Sequence, residues 1–575
     1  MKTPTQPIRL KQLDYGSDRA EILHWDGRLD NRDDLRLRLR ESLREPATDA
    51  GLTLAAYERW GADGLVHLIG DWSAVIRDRM SGTVNLASDF AGVRPLYYHV
   101  RGGDVLWSNR LQSLVERAGI SELDDQYVAG FLTLGGCPNR TPYKGIYSVP
   151  PGHAVCVAPG GTAIRRFWTL PTGDVIRYHS EHRYEEQLRA LFREAVAVRL
   201  QTEFPVLAEL SGGLDSSSVV LMANELIHGG AVAARQLESV SYVWGGSLDE
   251  AFIREIESHC GIDGVHFSTH TTPVVGATEA GGAVPEEFVP LRKSLARVAN
   301  GLGAKVVLTG RNGDLVMGNW LDDSLQVAAH LRRMQLGRAC GDALAWSKVL
   351  GLPVYTTLWR ALRAALPSSL SPAQVYAKQD GSYAPNRVET SLVAGLWSRT
   401  GVSEPGELFS NHWMSAPAER RKHFRALSMA LELRSLQAPE PLQHLDYTHP
   451  FAHRPLVEFL MTVPADVLCG PGEPRRLMRR ALADLWPPKL RNRRSKALFG
   501  APWQEALLPV ARHLLRSPQL QVVERGFVEH ASLRSRLERL TAGLDCNQSQ
   551  LQRVVLLELW LRNRWRAGRP RVQAA

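Results

Sequence analysis

Cysteine is scarce and scattered. The six cysteines among 575 residues (Cys137, Cys156, Cys260, Cys340, Cys469, Cys546) form no Cys-x-x-Cys pair. That excludes a zinc-finger spacing and a disulfide framework, and it fits a reducing cytoplasm. Long apolar runs are missing too. No stretch has the uninterrupted length of a membrane span, and the chain is polar from Lys2 onward with no signal-peptide core. A cytoplasmic protein without a membrane partner is expected. Neither charge sign dominates: the formal net charge is +9, with 44% apolar and 22% charged residues, an ordinary globular balance in a chain too long for one core. Arginine is nevertheless locally dense. Arg36, Arg38, Arg40 and Arg44 share a predicted helix; most such runs are solvated faces, and this one is left unassigned. Arg475, Arg476, Arg479 and Arg480, followed by Arg491, Arg493, Arg494 and Lys496, form a heavier cluster. No aromatic-interleaved basic module accompanies it, so no nucleic-acid partner is expected and the cluster is assigned to phosphate binding.

The first 170 residues are strand-rich. Ala20–Trp25, Trp72–Arg77, Thr83–Ser88, Leu96–Val100 and His153–Val157 alternate or run apolar between Gly, Asp and Pro punctuation, with helices at Asp33–Ser42 and Leu52–Trp60. Ala158-Pro159-Gly160-Gly161 reads as a turn, and Leu170-Pro171-Thr172-Gly173 as a linker. The rhythm then becomes helix (Arg183–Leu200), strand, glycine loop, helix, strand (Ser239–Val243), helix (Asp249–Cys260), strand (Val306–Thr309). Such alternation predicts a parallel, doubly wound sheet, with a mostly helical remainder beyond Ala328. Domains over 1–172 and 173–575 are expected, the second with a helical insertion at about 328–436.

Residues 206–218 carry the most chemistry. The run Val-Leu-Ala-Glu-Leu ends in Ser211-Gly212-Gly213-Leu214-Asp215-Ser216-Ser217-Ser218, and a helical pattern follows at once. Adjacent glycines bring backbone N–H groups close to a ligand, and hydroxyls at a helix N-terminus favour a phosphate. Asp215 would repel that phosphate unless a metal lay between them, so it reads as a Mg2+ ligand. No Gly-Lys-Ser/Thr closes the loop, which excludes a Walker pattern. A second glycine loop, Thr309-Gly310-Arg311-Asn312-Gly313-Asp314 through Gly318, follows Val306-Val307-Leu308. Ligands of doubly wound sheets bind beyond the C-terminal strand ends, so Asp314 is expected opposite Asp215.

These motifs resemble those of the glutamine-using asparagine synthetase family, almost end to end. Trp25-Asp26-Gly27-Arg28-Leu29-Asp30-Asn31, Ser88–Tyr98, Gly145–His153 with Arg166-Phe167-Trp168, both glycine loops, His449–Phe459 and Leu485–Lys496 carry the likeness in order. The resemblance implies an N-terminal glutaminase-like (Ntn-type) β-rich sandwich domain and an ATP-pyrophosphatase domain. That family's glutaminase uses a cysteine exposed by removal of Met1. Here residue 2 is Lys2, and Asp26 stands where a substrate-binding Asn is usual. A retained scaffold without glutaminase activity is expected. Relatives with this loss include β-lactam synthetases and the macrolactam cyclases of lasso peptides. The Thr-Gly-x-x-Gly-Asp-x-x-x-Gly loop and the long helical insertion look most like the cyclases.

The reaction this implies is an ATP-dependent isopeptide closure. A side-chain carboxylate of Asp or Glu in a precursor peptide is adenylated, and the peptide's own N-terminal amine displaces AMP. A leader peptidase and a leader-binding protein are implied as partners. An ammonia-dependent asparagine synthetase, or another small-molecule amide or β-lactam synthetase, is the alternative. ATP and Mg2+ are the expected cofactors, with Asp215 and Asp314 holding the metal. Ser211, Gly212, Gly213, Ser216 and Ser217 would cradle phosphates, with Gly310 and Gly313 in the second loop. Lys496 matches a family lysine that neutralises charge in the transition state. Arg476 is a candidate pyrophosphate contact. Arg311 stands where relatives carry Glu or Tyr; always protonated, it would pair with a substrate carboxylate or a phosphate. Asp446 is the candidate base. Trp346 and Leu350, then Trp359, Leu362 and Leu366, have helical spacing and read as core or, alternatively, as a peptide-gripping surface.

Overall fold

The computed structural model describes residues 16–40, 47–173, 175–244, 247–268, 272, 282–318, 324–366, 390–402, 408–493, 500–544 and 548–567. They fold as two compact units, Met1–Glu122 with Asn139–Thr169, and Leu123–Pro138 with Leu170–Ala575. The segment 123–138, which the sequence reading kept in the first domain, thus belongs to the second unit. Its helix Asp125–Leu134 packs on helix Gln548–Ala567, where Arg553 donates to the Thr133 carbonyl at 2.7 Å.

In the first unit β1 (Ala20–Leu29), β2 (Gly70–Asp78), β3 (Val84–Ser88), β7 (His153–Ala158) and β8 (Gly161–Arg166) form one antiparallel sheet in the order β1-β2-β3-β7-β8. A smaller sheet joins β4 (Tyr97–Arg101), β5 (Asp104–Ser108) and β6 (Tyr147–Ser148). Side chains alternate across a strand, so β2 serves two cores. Trp72, Ala74 and Ile76 pack against the helices Arg32–Leu39 and Asp49–Trp60, while Val75 joins Leu86, Tyr98, Val155 and Val157 between the sheets. The expected β-rich sandwich is therefore present. The turn at Ala158–Gly161 leads into β8, whose residues are all exposed and carry no apolar pattern to announce a strand.

The second unit is built on five parallel strands: β9 (Val206–Glu209), β10 (Leu237–Val243), β11 (Val265–Ser268), β12 (Val306–Leu308) and β13 (Asp446–Thr448), ordered β11-β10-β9-β12-β13. Val206, Leu207 and Ala208 are fully buried, as strands covered on both faces must be. Leu207, Val240, Val307 and Tyr447 face Leu295, Ala296 and Ala299 of the helix Val289–Leu302. Strand order reverses between β9 and β12, which opens a crevice above their C-terminal ends. No helix among the described residues is long and apolar enough to cross a membrane.

In the helical insertion Trp346 is buried with Ala339, Ala343, Ala361 and Cys469, and Pro353 separates the helices Leu336–Leu350 and Val354–Ala365. The second apolar set behaves differently: Trp359, Leu362 and Leu366 are about half exposed or more. Buried Arg420 ties the insertion to the helix Arg454–Thr462 by donating to the carbonyls of Leu460 (2.9 Å), Met461 (3.0 Å) and Val463. Each buried carbonyl left without a donor costs about 1–3 kcal/mol. Arg420→Leu is therefore expected to lower the unfolding free energy by about 3 kcal/mol in urea titration. A loss under about 1 kcal/mol would mean that water replaces the guanidinium there.

Candidate active site

The crevice is a cleft of about 620 Å³, in the range of small-molecule sites. Ser211, Gly213, Asp215, Ser216, Asp314, Arg475, Arg479 and Arg493 line its polar end, while Val240, Phe267, Phe288, Leu291 and Leu295 make the rest largely apolar.

The polar end follows from how two glycine loops fit. Gly212 has φ +69°, and a Cβ there would meet the Asp249 carbonyl at 2.7 Å. The backbone turns sharply at that point, and the helix Leu214–His228 starts directly after Gly213. Within the loop the Ser211 and Ser216 hydroxyls lie 3.0 Å apart, and the Ser211 N–H donates to Ser216 Oγ at 3.1 Å. The second loop presses against the first. A Cβ on Gly310 would stand 2.5 Å from the Ser216 nitrogen, and one on Gly313 would stand 2.5 Å from Asp215 Cγ. Only glycine allows that approach, and it brings Asp314 alongside Asp215.

Both carboxylates converge on Arg475. Its Nη1 is 2.7 Å from Asp215 Oδ1, and its Nη2 pairs with Asp314 Oδ1. Arg475 is buried with a positive φ of 57°, a conformation that costs a non-glycine residue energy unless its surroundings hold it. The ion pairs and an N–H bond to the Gly318 carbonyl (3.0 Å) do so. Two carboxylates that close together, with a cation already between them, suit a hard divalent ion that takes its remaining ligands from phosphate and water. Among the described residues there is no cluster of three or more potential ligands, so these two carboxylates are the part of such a coordination shell that the described residues supply.

Several expected site residues stand elsewhere. Asp446 opens β13 in register with Val306, so it sits at the N-terminal end of the sheet, opposite the loops that follow Leu308. It does not line the cleft, and the assignment as base is corrected. Ser217 is fully buried on the inner side of its helix and also leaves the set. Gly212 and Gly313 shape the loops without lining the cleft. Arg476 turns away to Glu181, Glu473 and the Asp466 carbonyl, so it is not the pyrophosphate contact. Arg475 and Arg479 are four residues apart and both line the cleft, but Arg479 is committed to backbone, donating to the carbonyls of Pro474 (3.1 Å), Arg491 (3.2 Å) and Arg493 (2.7 Å). Arg476 and Arg480 share the other face and pair with Glu181. Arg493 lines the cleft but is committed to the loop: it donates to the Gly212 carbonyl at 2.6 Å, pairs with Asp249 and packs on the Phe252 ring. Arg311 does line the cleft, with its guanidinium 5.5 Å from the Tyr447 ring centroid and Nη1 bonded to the Ser435 carbonyl at 3.2 Å. Lys496 lies outside the described residues.

The sequence reading missed a second polar cluster. Glu209, the last residue of β9, lines the cleft and pairs with Arg292 at 2.5 Å, and the Tyr447 hydroxyl donates to it at 3.1 Å. Burial alone would raise the Glu209 carboxyl, but Arg292 and Arg311 outweigh it and hold it below its usual value. The available signal was a charged residue inside an otherwise apolar strand.

A strand–Ser-Gly-Gly–helix loop facing a second glycine loop across a parallel sheet defines an ATP-pyrophosphatase-type α/β domain, here in a chain that also carries a β-rich amidotransferase-like unit. The comparisons agree. The chain belongs to the asparagine synthase family, whose model matches residues 187–562, and a glutamine amidotransferase domain model matches residues 3–168. An asparagine synthetase (glutamine-hydrolyzing) 3 of Bacillus subtilis is 30% identical over 36% of this chain and 34% of its own length. The amidase chyE of Penicillium rubens is 27% identical, covering 46% of this chain and 42% of its own. An asparagine synthetase (glutamine-hydrolyzing) 2 of Oryza sativa subsp. japonica is 25% identical, covering 53% and 49% respectively. The chain thus spans between a third and a half of the length of these curated relatives.

Proposed function

We propose that the chain is an ATP-dependent, AMP-forming carbon–nitrogen ligase, and that its substrate is a precursor peptide closed into a macrolactam. The observation that carries the ligase reading is the convergence of Asp215 and Asp314 on one cation beside the Ser211–Ser216 loop. Phosphate oxygens bind at the loop, held by the Ser211 and Ser216 hydroxyls and by N–H groups at the start of the helix Leu214–His228. Mg2+ bound by Asp215 and Asp314 would neutralise charge on the phosphates. A peptide Asp or Glu carboxylate oxygen attacks the α-phosphorus, and pyrophosphate leaves. The peptide's N-terminal amine then attacks the acyl carbon, AMP leaves, and the amine gives up a proton. Arg475 lies where charge builds on the departing pyrophosphate, the kind of fixed electrostatic help that dominates such catalysis, while Arg479 braces the loop carbonyls beside it. With a reference α-amine pKa near 8, no strong base is required.

The peptide substrate is favoured by the lasso-cyclase likeness of the Thr309–Gly318 loop and of the insertion, whose half-exposed Trp359, Leu362 and Leu366 offer apolar surface for a chain. A leader peptidase and a leader-binding protein complete the proposed system, in the cytoplasm. The relatives' names favour the second reading, a small-molecule amide synthetase.

The deciding experiment incubates the leader-free core peptide encoded beside the gene with the protein, its helper proteins and Mg-ATP, followed by mass spectrometry. Loss of one water from the peptide in step with AMP supports the cyclase. An unchanged peptide, with AMP formed instead from aspartate and ammonia, moves the assignment to the small-molecule synthetase. The loop geometry adds a prediction: Gly313→Ala drives a methyl into Asp215, so AMP formation should fall by about 10²-fold. Its melting temperature should stay within a few degrees of the parent's. Unimpaired AMP formation would show that the close approach of the two loops is not needed.

A further inference from the structure

The cleft has a polar feature that phosphate chemistry does not use. Its apolar half is walled by Val240 from β10, Phe267 from β11, and Leu291 and Leu295 from the helix Val289–Leu302, with Phe288 just before that helix. A flat, largely apolar ligand fits such walls. One acid–base pair stands among them. Glu209 Oε1 lies 2.5 Å from Arg292 Nη1, with side-chain exposures of 25% for the glutamate and 10% for the arginine. The pair is therefore built into the wall, with part of the carboxylate open to the cleft. It is separated in kind from the Asp215–Arg475–Asp314 group, which serves the phosphate end.

The two oxygens of Glu209 differ. Oε2 accepts from the Tyr447 hydroxyl, and Tyr447 is 1% exposed and not part of the lining, so that oxygen is engaged on the core side. Oε1 sits beside the guanidinium, and a carboxylate oxygen has a second lone pair to offer. The wall thus presents one acceptor next to one donor. Adenine's amino-pyrimidine edge is the complement, an exocyclic N6–H donor beside the N1 acceptor. Guanine's corresponding edge needs an acceptor pair for N1–H and N2–H together, which an oxygen turned to Tyr447 does not supply.

We propose that Glu209 and Arg292 read the base of the bound nucleotide, with Glu209 accepting from the adenine N6 amine and Arg292 donating to N1. This rests on the nucleotide reading of the cleft and deepens it by naming the specificity determinants. It also explains why a charged residue ends an otherwise apolar strand. Tyr447 is a positioning residue here, holding the carboxylate in one rotamer without touching the base.

The test is equilibrium binding to the full chain by calorimetry with Mg-ATP and Mg-ITP, in which oxygen replaces the N6 amine. The parent protein should bind ATP at least about tenfold more tightly than ITP, because a site built around a hydrogen bond leaves its buried group unpaired when the partner is missing. Glu209→Leu should erase that difference, chiefly by weakening ATP. Removing the carboxylate also strips Arg292 of its ion pair and can weaken the fold, so Glu209→Gln is measured alongside. It keeps the shape and an acceptor oxygen, and should retain a preference for ATP. Equal ATP and ITP affinity in the parent would overturn the proposal while leaving the nucleotide site standing. A preference for ITP would overturn it too, since the edge read would be the wrong one. Failure of both nucleotides to bind would remove the nucleotide reading and the proposal with it.

Discussion

Asp314→Ala is expected to abolish AMP formation, a loss of at least about 10³-fold, equivalent to about 4 kcal/mol of transition-state stabilisation. Asp314 is 30% exposed at its side chain and stands in a short helical turn, Gly313–Val316. Truncating it therefore removes charge without opening a core cavity. Asp215→Ala should cost about as much. It shares the same cationic partner, and its carboxylate is set by the pressure of Gly313. If both act through one bound ion, the double variant is no slower than either single one, because residues working as a unit are non-additive. Multiplying losses would instead mean independent roles. Retention of more than a tenth of the parent rate in either single variant would remove the metal assignment. The readout is AMP or pyrophosphate release, with circular dichroism to confirm folding.

The part of this site that is legible in the sequence is the part whose chemistry is local. A Ser-Gly-Gly-x-Asp-Ser run between an apolar strand and a helix fixes its own turn, so the Ser211 hydroxyl and Asp215 could be read directly. The pairing of Asp314 with Asp215 was also accessible, because both follow strands of one parallel sheet and ligands gather at that end. What escaped depends on register and on which way a helix faces. Asp446 lies close in sequence to the His449-Pro450-Phe451 segment, but β13 is only three residues long and its direction was not foreseen. Parallel pairing with β12 puts its first residue at the far end from the loops. In the arginine cluster composition pointed to phosphate, but only the helix Arg476–Ala481 and the residue before it decide which side chains arrive. Arg475 and Arg479 do, while Arg476 and Arg480 turn to Glu181. Helix Asp125–Leu134 makes the same point at the level of domains. Its sequence reads equally well in either unit, and its docking on the helix Gln548–Ala567, more than 400 positions away, settles the matter.

Arg475→Ala should uncouple stability from activity in a way that exposes what the arginine does. In the parent its guanidinium is the counter-ion of both Asp215 and Asp314, and all three are at least partly withdrawn from water. Removing one member of a buried ion network costs about 3–5 kcal/mol, because the remaining charges are left uncompensated. Two carboxylates facing each other would add repulsion to that penalty. The variant should therefore melt well below the parent in a chelating buffer. A divalent cation supplies the missing charge, and a ligand that binds the folded state raises stability by mass action. In the absence of ATP, millimolar MgCl2 should thus restore much of the lost melting temperature in Arg475→Ala and change the parent less, since its arginine already neutralises the carboxylates until a phosphate ligand brings the metal in. An Asp215→Ala, Arg475→Ala double variant, with one carboxylate gone, should lose most of that Mg2+ response. Turnover should stay at least about 10²-fold down with Mg2+ present, because the cation cannot also replace the arginine on the departing pyrophosphate. If MgCl2 leaves the variant's melting temperature unmoved, the paired carboxylates do not form a cation site, and the arginine is a structural counter-ion only.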